Sequence, residues 1–562
     1  MSQITNMQLE KIKAAGAITL SDLDVAYDSL SVKTDRTTIE FALPNLKESS
    51  ETTKFVFADV SANKLDANKI NSFKASLQNA NISFETSDVR DTLRIPNILC
   101  SFQMGALSAE MDSIHLSVAQ PKGNMTVAPR KNSPEYPEIK LIYNSNRIKA
   151  GFGQYSALIE KLGLDVEAEN DPTLQDMVLQ WAPKGFIDME KGTMTMTSLS
   201  YPVEIPGIKM KFDPETFAIE KGNFVIDNSD FNLSGKLDNI SSWFRGDSLL
   251  IGDFNFVSEM TDILHLMNLT NGMGHTEEEK KEIAENENSS VFLVPKGVDM
   301  TLHTNIKKAS YGEDVTISDI RGDVRIRDGI LVLDEISFTT PAADMQLTAM
   351  YRTPRKNHLF VGLDFHMLDV EISELLQMIP AIDSIMPMLR SFGGKGEFHF
   401  AAETYVDSMY NIKMSTIRGA SSIRGTDLIL MDGQTFSEIA KTLRFNKKTE
   451  NKVDSLSAEF TIFRSQVDVY PFLIVMDKYK AVVGGRHNLD MSFDYNISVV
   501  QSPLPFRLSV GVKGTPDKIK YSPAKSKYPD FYRPVSRKEV ESKQLELRKM
   551  IRDALTGKTQ DQ

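Results

Sequence analysis

Cysteine is nearly absent. Cys100 stands alone among 562 residues, so no intramolecular disulfide can form and no cysteine cluster can hold zinc. One thiol in so long a chain suits an oxidising compartment that avoids stray thiols. Tryptophan is limited to Trp181 and Trp243, too few to lay an aromatic platform for sugars. Positive charge is short as well. A net charge of −12 leaves no basic surplus to neutralise phosphates, which argues against a general nucleic-acid binder. No apolar run reaches the ~18 residues that mark a transmembrane helix. The opening MSQITNMQLEKIKAAG has neither the basic start nor the apolar core of a signal peptide. The expectation is a cytosolic protein, or one whose export or anchor segment is missing from these residues.

Catalytic signatures are missing too. His115, His265, His275, His303, His358, His366, His399 and His487 form no H-E-x-x-H and no zinc-ligand spacing. There is no G-x-S-x-G elbow and no G-x-G-x-x-G after a strand. Gly393-Gly394-Lys395-Gly396 lacks the frame of a phosphate loop and reads as a hinge. Acidic pairs such as Asp334-Glu335 read as solvated turns. No catalytic residue, cofactor or metal site is expected.

What the chain does have is alternation. Around Val324–Phe365, Val324 and Ile326 alternate with polar residues, Asp328-Gly329 turns the chain, and Leu331 and Leu333 lead back. Pairing 326 with 331 sets 324 opposite 333. Met345, Leu347, Ala349 and Tyr351 then alternate up to the polar segment Arg352 to His358. Leu359, Val361, Leu363 and Phe365 return. Pairing 351 with 359 would set 345 opposite 365. Period two with turn chemistry between runs marks antiparallel sheet with one apolar and one wet face.

The same style begins earlier, at Ala17–Val32, Thr38–Leu43, Phe73–Phe84 and Ile114–Val118, with a loop over Ala128–Pro137. Tyr155–Trp181 is less periodic at two and is expected to contain helix. Glu190-Lys191-Gly192, Glu220-Lys221-Gly222 and Arg327-Asp328-Gly329 each precede a strand-like run, and each reads as a charged turn ending in Gly. Two helical interruptions follow the i, i+3, i+4, i+7 rule. The first holds Met260, Ile263, Leu264 and Met267, followed by an acidic stretch, His275–Ser290. The second holds Ile372, Leu375, Leu376 and Ile379, then Ile382, Ile385, Met386 and Leu389, broken by Pro380 and Pro387. It reads as a cap on the sheet core or as a lid over a groove. The tail from Ser536 is a helix by local rules: Ser536 and Glu539 make a capping box, and Leu547, Met550, Ile551 and Ala554 share a face.

Ile320–Thr353, IRGDVRIRDGILVLDEISFTTPAADMQLTAMYRT, resembles the recurring element of the AsmA family of envelope proteins. Asp427–Phe445, Gly484-Gly485, Leu489-Asp490 and Val512–Pro516 stand in the order of that family's C-terminal region. The resemblance implies a mainly β fold, a long twisted antiparallel sheet curled into an open groove, with a few short helices and a C-terminal helix. It implies a periplasmic body tethered to the inner membrane by an N-terminal segment that this sequence lacks. The implied partners are phospholipid or another acyl lipid, the inner and outer membranes, and envelope proteins. The expected segments are an N-terminal groove segment (1–150) and a middle segment with helical insertions (151–300). An AsmA-like repeat with lid or cap helices (301–425), a C-terminal AsmA-like region (426–525) and a helical tail (526–562) follow.

Physical chemistry gives the implication a basis. Immersing an acyl chain in water costs about 0.8 kcal/mol per CH2, or roughly 13 kcal/mol for sixteen carbons. A carrier must offer a continuous apolar wall. The residues expected to line it are Val324, Ile326, Leu331, Leu333, Met345, Leu347, Tyr351, Leu359, Val361, Leu363 and Phe365. Ile372, Leu375, Leu376, Ile379, Ile382 and Leu389 are expected to cap it. The alternative is a structural or chaperone factor in outer-membrane protein assembly, receiving strands at open sheet edges.

Overall fold

The computed structural model describes residues 14–27, 30–43, 55–69, 73–87, 95–173, 180–196, 201–264, 267, 291–311, 315–355, 358–378, 392–430, 452–476, 479–488, 492–503, 505, 507–515, 518–528 and 539–556. The predicted cap residues Ile379, Ile382 and Leu389, the acidic stretch 275–290 and Ser536 lie outside these. The chain is mainly β, as expected, and divides into two compact units, Met1–Val257 and Ser258–Gln562.

Unit 1 begins with four long hairpin strands, β1 (Ala14–Tyr27), β2 (Leu30–Leu43), β3 (Phe55–Lys69) and β4 (Phe73–Ser87). Four short ones follow: β5 (Asn97–Gln103), β6 (Ala106–Met111), β7 (Ile114–Ala119) and β8 (Lys122–Pro129). Next are β9 (Pro137–Phe152), β10 (Tyr155–Glu169), β11 (Lys184–Thr195) and β12 (Val203–Phe212). The unit ends with β13 (Thr216–Ile226), β14 (Ser229–Asp238), a short helix α1 (Ile240–Phe244) and β15 (Leu250–Ser258). Successive partners run antiparallel. The pairs β5/β6 and β7/β8 act as two broken long strands: β4 pairs with both β5 and β6, and β9 with both β7 and β8.

One structural device recurs across unit 1. In β10, Ala157 and Ile159 share a face with Leu162, Leu164 and Val166, although strict alternation would put them on opposite faces. Lys161 lies between them with φ 52. A left-handed residue inside a strand inverts the parity of everything after it, as a bulge does. Asp22 (φ 51) does the same in β1, and Asn79 (φ 48) in β4. The strand breaks at Met104-Gly105 between β5 and β6 and at Gln120-Pro121 between β7 and β8, where Gln120 is left-handed at φ 51. Backbone bonds stitch those breaks: Met104 N donates to Pro121 O at 2.9 Å and Gly105 N to Gln78 O at 2.8 Å. These positions line up from strand to strand into a crease.

Unit 2 opens with β16 (Thr261–Asp262), which pairs in parallel with β17 (Val298–Tyr311), a departure from an all-antiparallel sheet. Then come β18 (Val315–Arg327), β19 (Ile330–Thr339), β20 (Asp344–Arg355), β21 (His358–Glu371) and helix α2 (Ile372–Met378). β22 (Phe392–Gly393), β23 (Lys395–Val406), β24 (Arg418–Leu430), β25 (Lys452–Phe463) and β26 (Gln466–Met476) continue the ladder. It ends with β27 (Tyr479–Asn488), β28 (Phe493–Gln501), β29 (Leu508–Thr515) and β30 (Lys518–Pro523), and helix α3 (Glu539–Leu555) closes the unit. Among the described residues β1 pairs only with β2 and β30 only with β29, so no barrel closes.

The predicted pairing of Val324 with Leu333 and Ile326 with Leu331 is observed. The next hairpin is offset: Tyr351 faces Val361 and Met345 faces Met367, because the strands run into the polar segment as far as Arg355 and His358. A shift of two residues leaves every side chain on its expected face. Three expectations are corrected. Of the stretch 155–181 expected to contain helix, residues 155–169 form a strand, because Lys161 scrambles the period rather than ending it, and helix is found only at Gln180 and Trp181 among the described residues. Glu190–Gly192 and Glu220–Gly222 lie inside β11 and β13, not at turns. Asp334-Glu335 is a bulge within β19, with Glu335 at φ 51.

The C-terminal helix α3 lies on the sheet of unit 2, on the face opposite the predicted groove residues. Leu547, Ile551 and Ala554 pack on Val332, Met350 and Phe360, while Val540 meets Ala401 and Ala420. Gly362 makes room: a Cβ there would come within 2.8 Å of Leu547 Cδ1.

The crease predicts an unusual ranking at Lys161. Lys161→Val should lower the stability of unit 1 by about 1–2 kcal/mol, the cost of forcing a branched residue to positive φ. Lys161→Gly, which loses the same Glu190 ion pair, should be near neutral. Thermal unfolding of the two variants checks the ranking, and equal losses would contradict it.

Candidate functional site

The crease gives unit 1 one apolar face in two flanks. On one flank, pairing from strand to strand runs Val25, Val32, Ala67, Ala75, Ala109, Leu116, Ala150, Ala157, Met194, Val203, Ile226. On the other it runs Ile39, Val60, Ile82, Phe102, Gly123, Tyr143, Leu164, Ile187, Met210, Ile219. Each row crosses at least ten strands, and at roughly 4.8 Å per strand each is on the order of 50 Å long.

Burial follows the crease. Thr34, Thr37, Ala62, Ala80, Val118, Ser145, Met189 and Ile208, next to it on this face, are all buried. Small side chains predominate where the flanks meet in β2–β4. Farther out the face opens: Ile18 is 51 % exposed, Ile114 39 %, Phe152 60 % and Met194 36 %. The result is a trough with a closed floor and half-exposed apolar flanks. Backbone groups pair in antiparallel ladders on both sides of the crease. The Ser145 hydroxyl is buried on the floor with no hydrogen-bond partner among the described residues.

The predicted groove residues of unit 2 do share one face, but that face is largely filled. Met345 (2 % exposed) and Leu359 (0 %) are core. Met345 packs with Met367, Phe398, Ile423, Leu456, Phe460 and Phe472, and Phe338 and Phe365 join from the side. From α2, Ile372 and Leu375 enter this same cluster and Leu376 packs against it, which places the described cap residues inside a core. Tyr351 and Val361 pack with Leu359 on Val291 and Leu293. The Tyr351 hydroxyl donates to Phe292 O at 3.0 Å, while Phe292 N donates to the Tyr410 hydroxyl at 2.8 Å. Burial, and then Tyr410, push the Tyr351 pKa far above the usual tyrosine range. Val361 and Leu363 border a cavity of about 100 Å3, with Phe400, Ala402, Ile417 and Ile462. That is room for a few methylenes, not an acyl chain. Val324, Ile326, Leu331, Leu333, Leu347 and Phe365 are half-buried.

The unit 1 trough was less legible in the sequence. Its strands alternate only up to the crease, and the inversion there breaks the period that advertises a strand. The signal that could have found it is a pair of short alternating runs with opposite parity, joined by Asp, Asn or a charged pair.

The opposite face of unit 1 is largely polar and carries cross-strand ion pairs such as Arg147–Glu160 (3.2 Å) and Lys209–Asp188 (3.0 Å). Glu138, Glu167 and Glu169 cluster beside Lys184. Burial and contact with Glu167 raise the Glu138 pKa, and a hydrogen bond from Lys184 lowers that of Glu167. In unit 2, His303 Nδ1 lies 2.7 Å from Asp323, and Arg325 joins Asp323 and Asp334 at 3.3 and 3.2 Å.

No protein-family model and no curated protein matches this chain.

The Asp323 cluster sets a pH dependence. Burial works against ionisation, but hydrogen bonds from His303 and Arg325 outweigh it and hold the Asp323 pKa below 3.8. A depressed carboxylate contributes stability that is complete above its unfolded value and is lost as pH falls through the folded one. Asp323→Asn should therefore cost unit 2 up to about 1 kcal/mol at neutral pH, in the range of solvent-screened pairs. Urea titrations at neutral pH and well below 3.8 should show the gap to the wild type closing in acid. A gap that widens in acid would contradict the assignment.

Proposed function

We propose that this chain is a non-enzymatic carrier of acyl lipids, of the AsmA-like envelope kind, and that unit 1 holds the chains. The observation that carries the reading is the pair of apolar rows flanking a buried crease. Most of the large exposed apolar side chains of unit 1 stand on this one face, among them Ile18, Val25, Met111, Ile114, Phe152 and Met194. A water-exposed apolar strip on this scale is costly, at about 25 cal/mol per Å2, and its natural cover is another apolar surface. A row on the order of 50 Å long exceeds one sixteen-carbon chain, so several chains could lie across successive strands. Chain heads would stay at the open side, because the two flanking rows offer hydrocarbon contact along their length.

In this reading unit 2 serves as a packed scaffold, its face occupied by its own side chains and by α2. The phospholipid, the two membranes and envelope protein partners implied by the AsmA resemblance fit a carrier working between membranes in the periplasm. They belong to the same proposal.

Native purification, organic extraction and mass spectrometry test it. Near-stoichiometric phospholipid should accompany the wild type. Ile114→Asp combined with Met194→Asp should reduce it at least fivefold without lowering the melting temperature, since both side chains are already half in water. Lipid-free wild-type protein, or lipid retained by this variant, would overturn the reading.

A further inference from the structure

The polar face of unit 1 contains a concavity of about 500 Å3 over β4, β5, β8 and β9, behind the trough. Two cross-strand rows line it. The first runs Asn81, Gln103, Lys122, Asn144, and the second Ser83, Ser101, Asn124, Ile142. We propose that this concavity binds an extended, hydroxyl-rich ligand bearing an anionic group, in chemical class an acidic oligosaccharide.

The chemistry of the lining argues for it. Elsewhere on this face, facing residues are joined by ion pairs: Lys33–Asp24 at 2.8 Å, Arg147–Glu160 at 3.2 Å and Lys161–Glu190 at 2.6 Å. Within the concavity the polar side chains make no hydrogen bond and no ion pair among the described residues. Amides and hydroxyls both donate and accept, as sugar hydroxyls do, so Asn81, Ser83, Ser101, Gln103, Asn124 and Asn144 each complement a polyol. Lys122 is a cation with an amide on each side, from Gln103 and Asn144, rather than a carboxylate. An ammonium so placed favours a ligand carboxylate, sulfate or phosphate. Ile142, 42 % exposed, sets an apolar spot among the amides where the C–H face of a ring can rest. No indole is present, so recognition runs through hydrogen bonds.

The spacing fits a chain. Adjacent strands lie about 4.8 Å apart, close to one hexose along an extended glycan, so successive sugars meet successive strands. The concavity is on the other face of the sheet from the apolar trough, and the inference does not depend on the lipid reading.

Isothermal titration of the full chain with tetragalacturonic acid and with neutral maltotetraose tests it. The acidic probe should bind at least fivefold more tightly than the neutral one. Asn81→Ala with Asn124→Ala should weaken it at least tenfold, and Lys122→Gln should abolish the preference for acid. All three positions are exposed, and unchanged circular dichroism and melting would confirm folding. Absence of binding at millimolar probe, a preference for maltotetraose, or binding indifferent to these variants would overturn the proposal.

Discussion

Side-chain parity is the constraint on which the structure rests. A strand can keep one apolar face through a sharp fold only if its alternation inverts at the fold line, and a left-handed residue does this within a single position. Asp22, Asn79, Gln120 and Lys161 occupy such positions, while β5–β8 achieve the same by breaking the strand. Asp and Asn tolerate positive φ; lysine and glutamine adopt it at a cost that the surrounding ladder must cover. Each inversion alone would be a local irregularity. Aligned across neighbouring strands, they give a line along which the sheet folds toward its apolar side.

The two units use this design differently. Unit 1 keeps its flanks apart, with small residues buried along the crease and larger ones half-exposed above it. Unit 2 brings its apolar face together around Phe460, Phe472, Met345 and Met367, inserts α2, and covers the reverse face with α3. The same alternating sequence style thus yields a packed core in one unit and an open trough in the other. The difference lies in side-chain volume and in helices available to fill the space, because interiors close to crystal-like density wherever they can.

The sequence made the fold class legible, since alternation and turn chemistry are local signals. The Val324–Leu333 pairing was readable because Asp328-Gly329 fixes the hairpin. The β20–β21 register was not, since nothing in Arg352–His358 shows how far two polar strands continue to pair. The shared face of the groove residues was legible as well, but not their burial: alternation says which side a residue faces, not what lies opposite. Met345 and Leu359 are core because distant strands reach them. The trough of unit 1 was concealed by its own mechanism, for the crease that shapes it erases the period two across β10. Glu190–Gly192 and Glu220–Gly222 carry turn composition yet lie mid-strand, because charged residues and glycine serve a fold line as well as a turn.

The central claim, that the creased face of unit 1 is the one that meets lipid, is tested most directly by crosslinking from its two sides. A benzophenone side chain replaces Phe152 on the trough face or Phe186 on the polar face, positions 60 % and 45 % exposed. Each protein is irradiated as purified from cells, and its intact mass is measured. A phospholipid adduct at position 152 and none at 186 is the predicted result. Adducts at both positions alike, or at neither, would contradict the account.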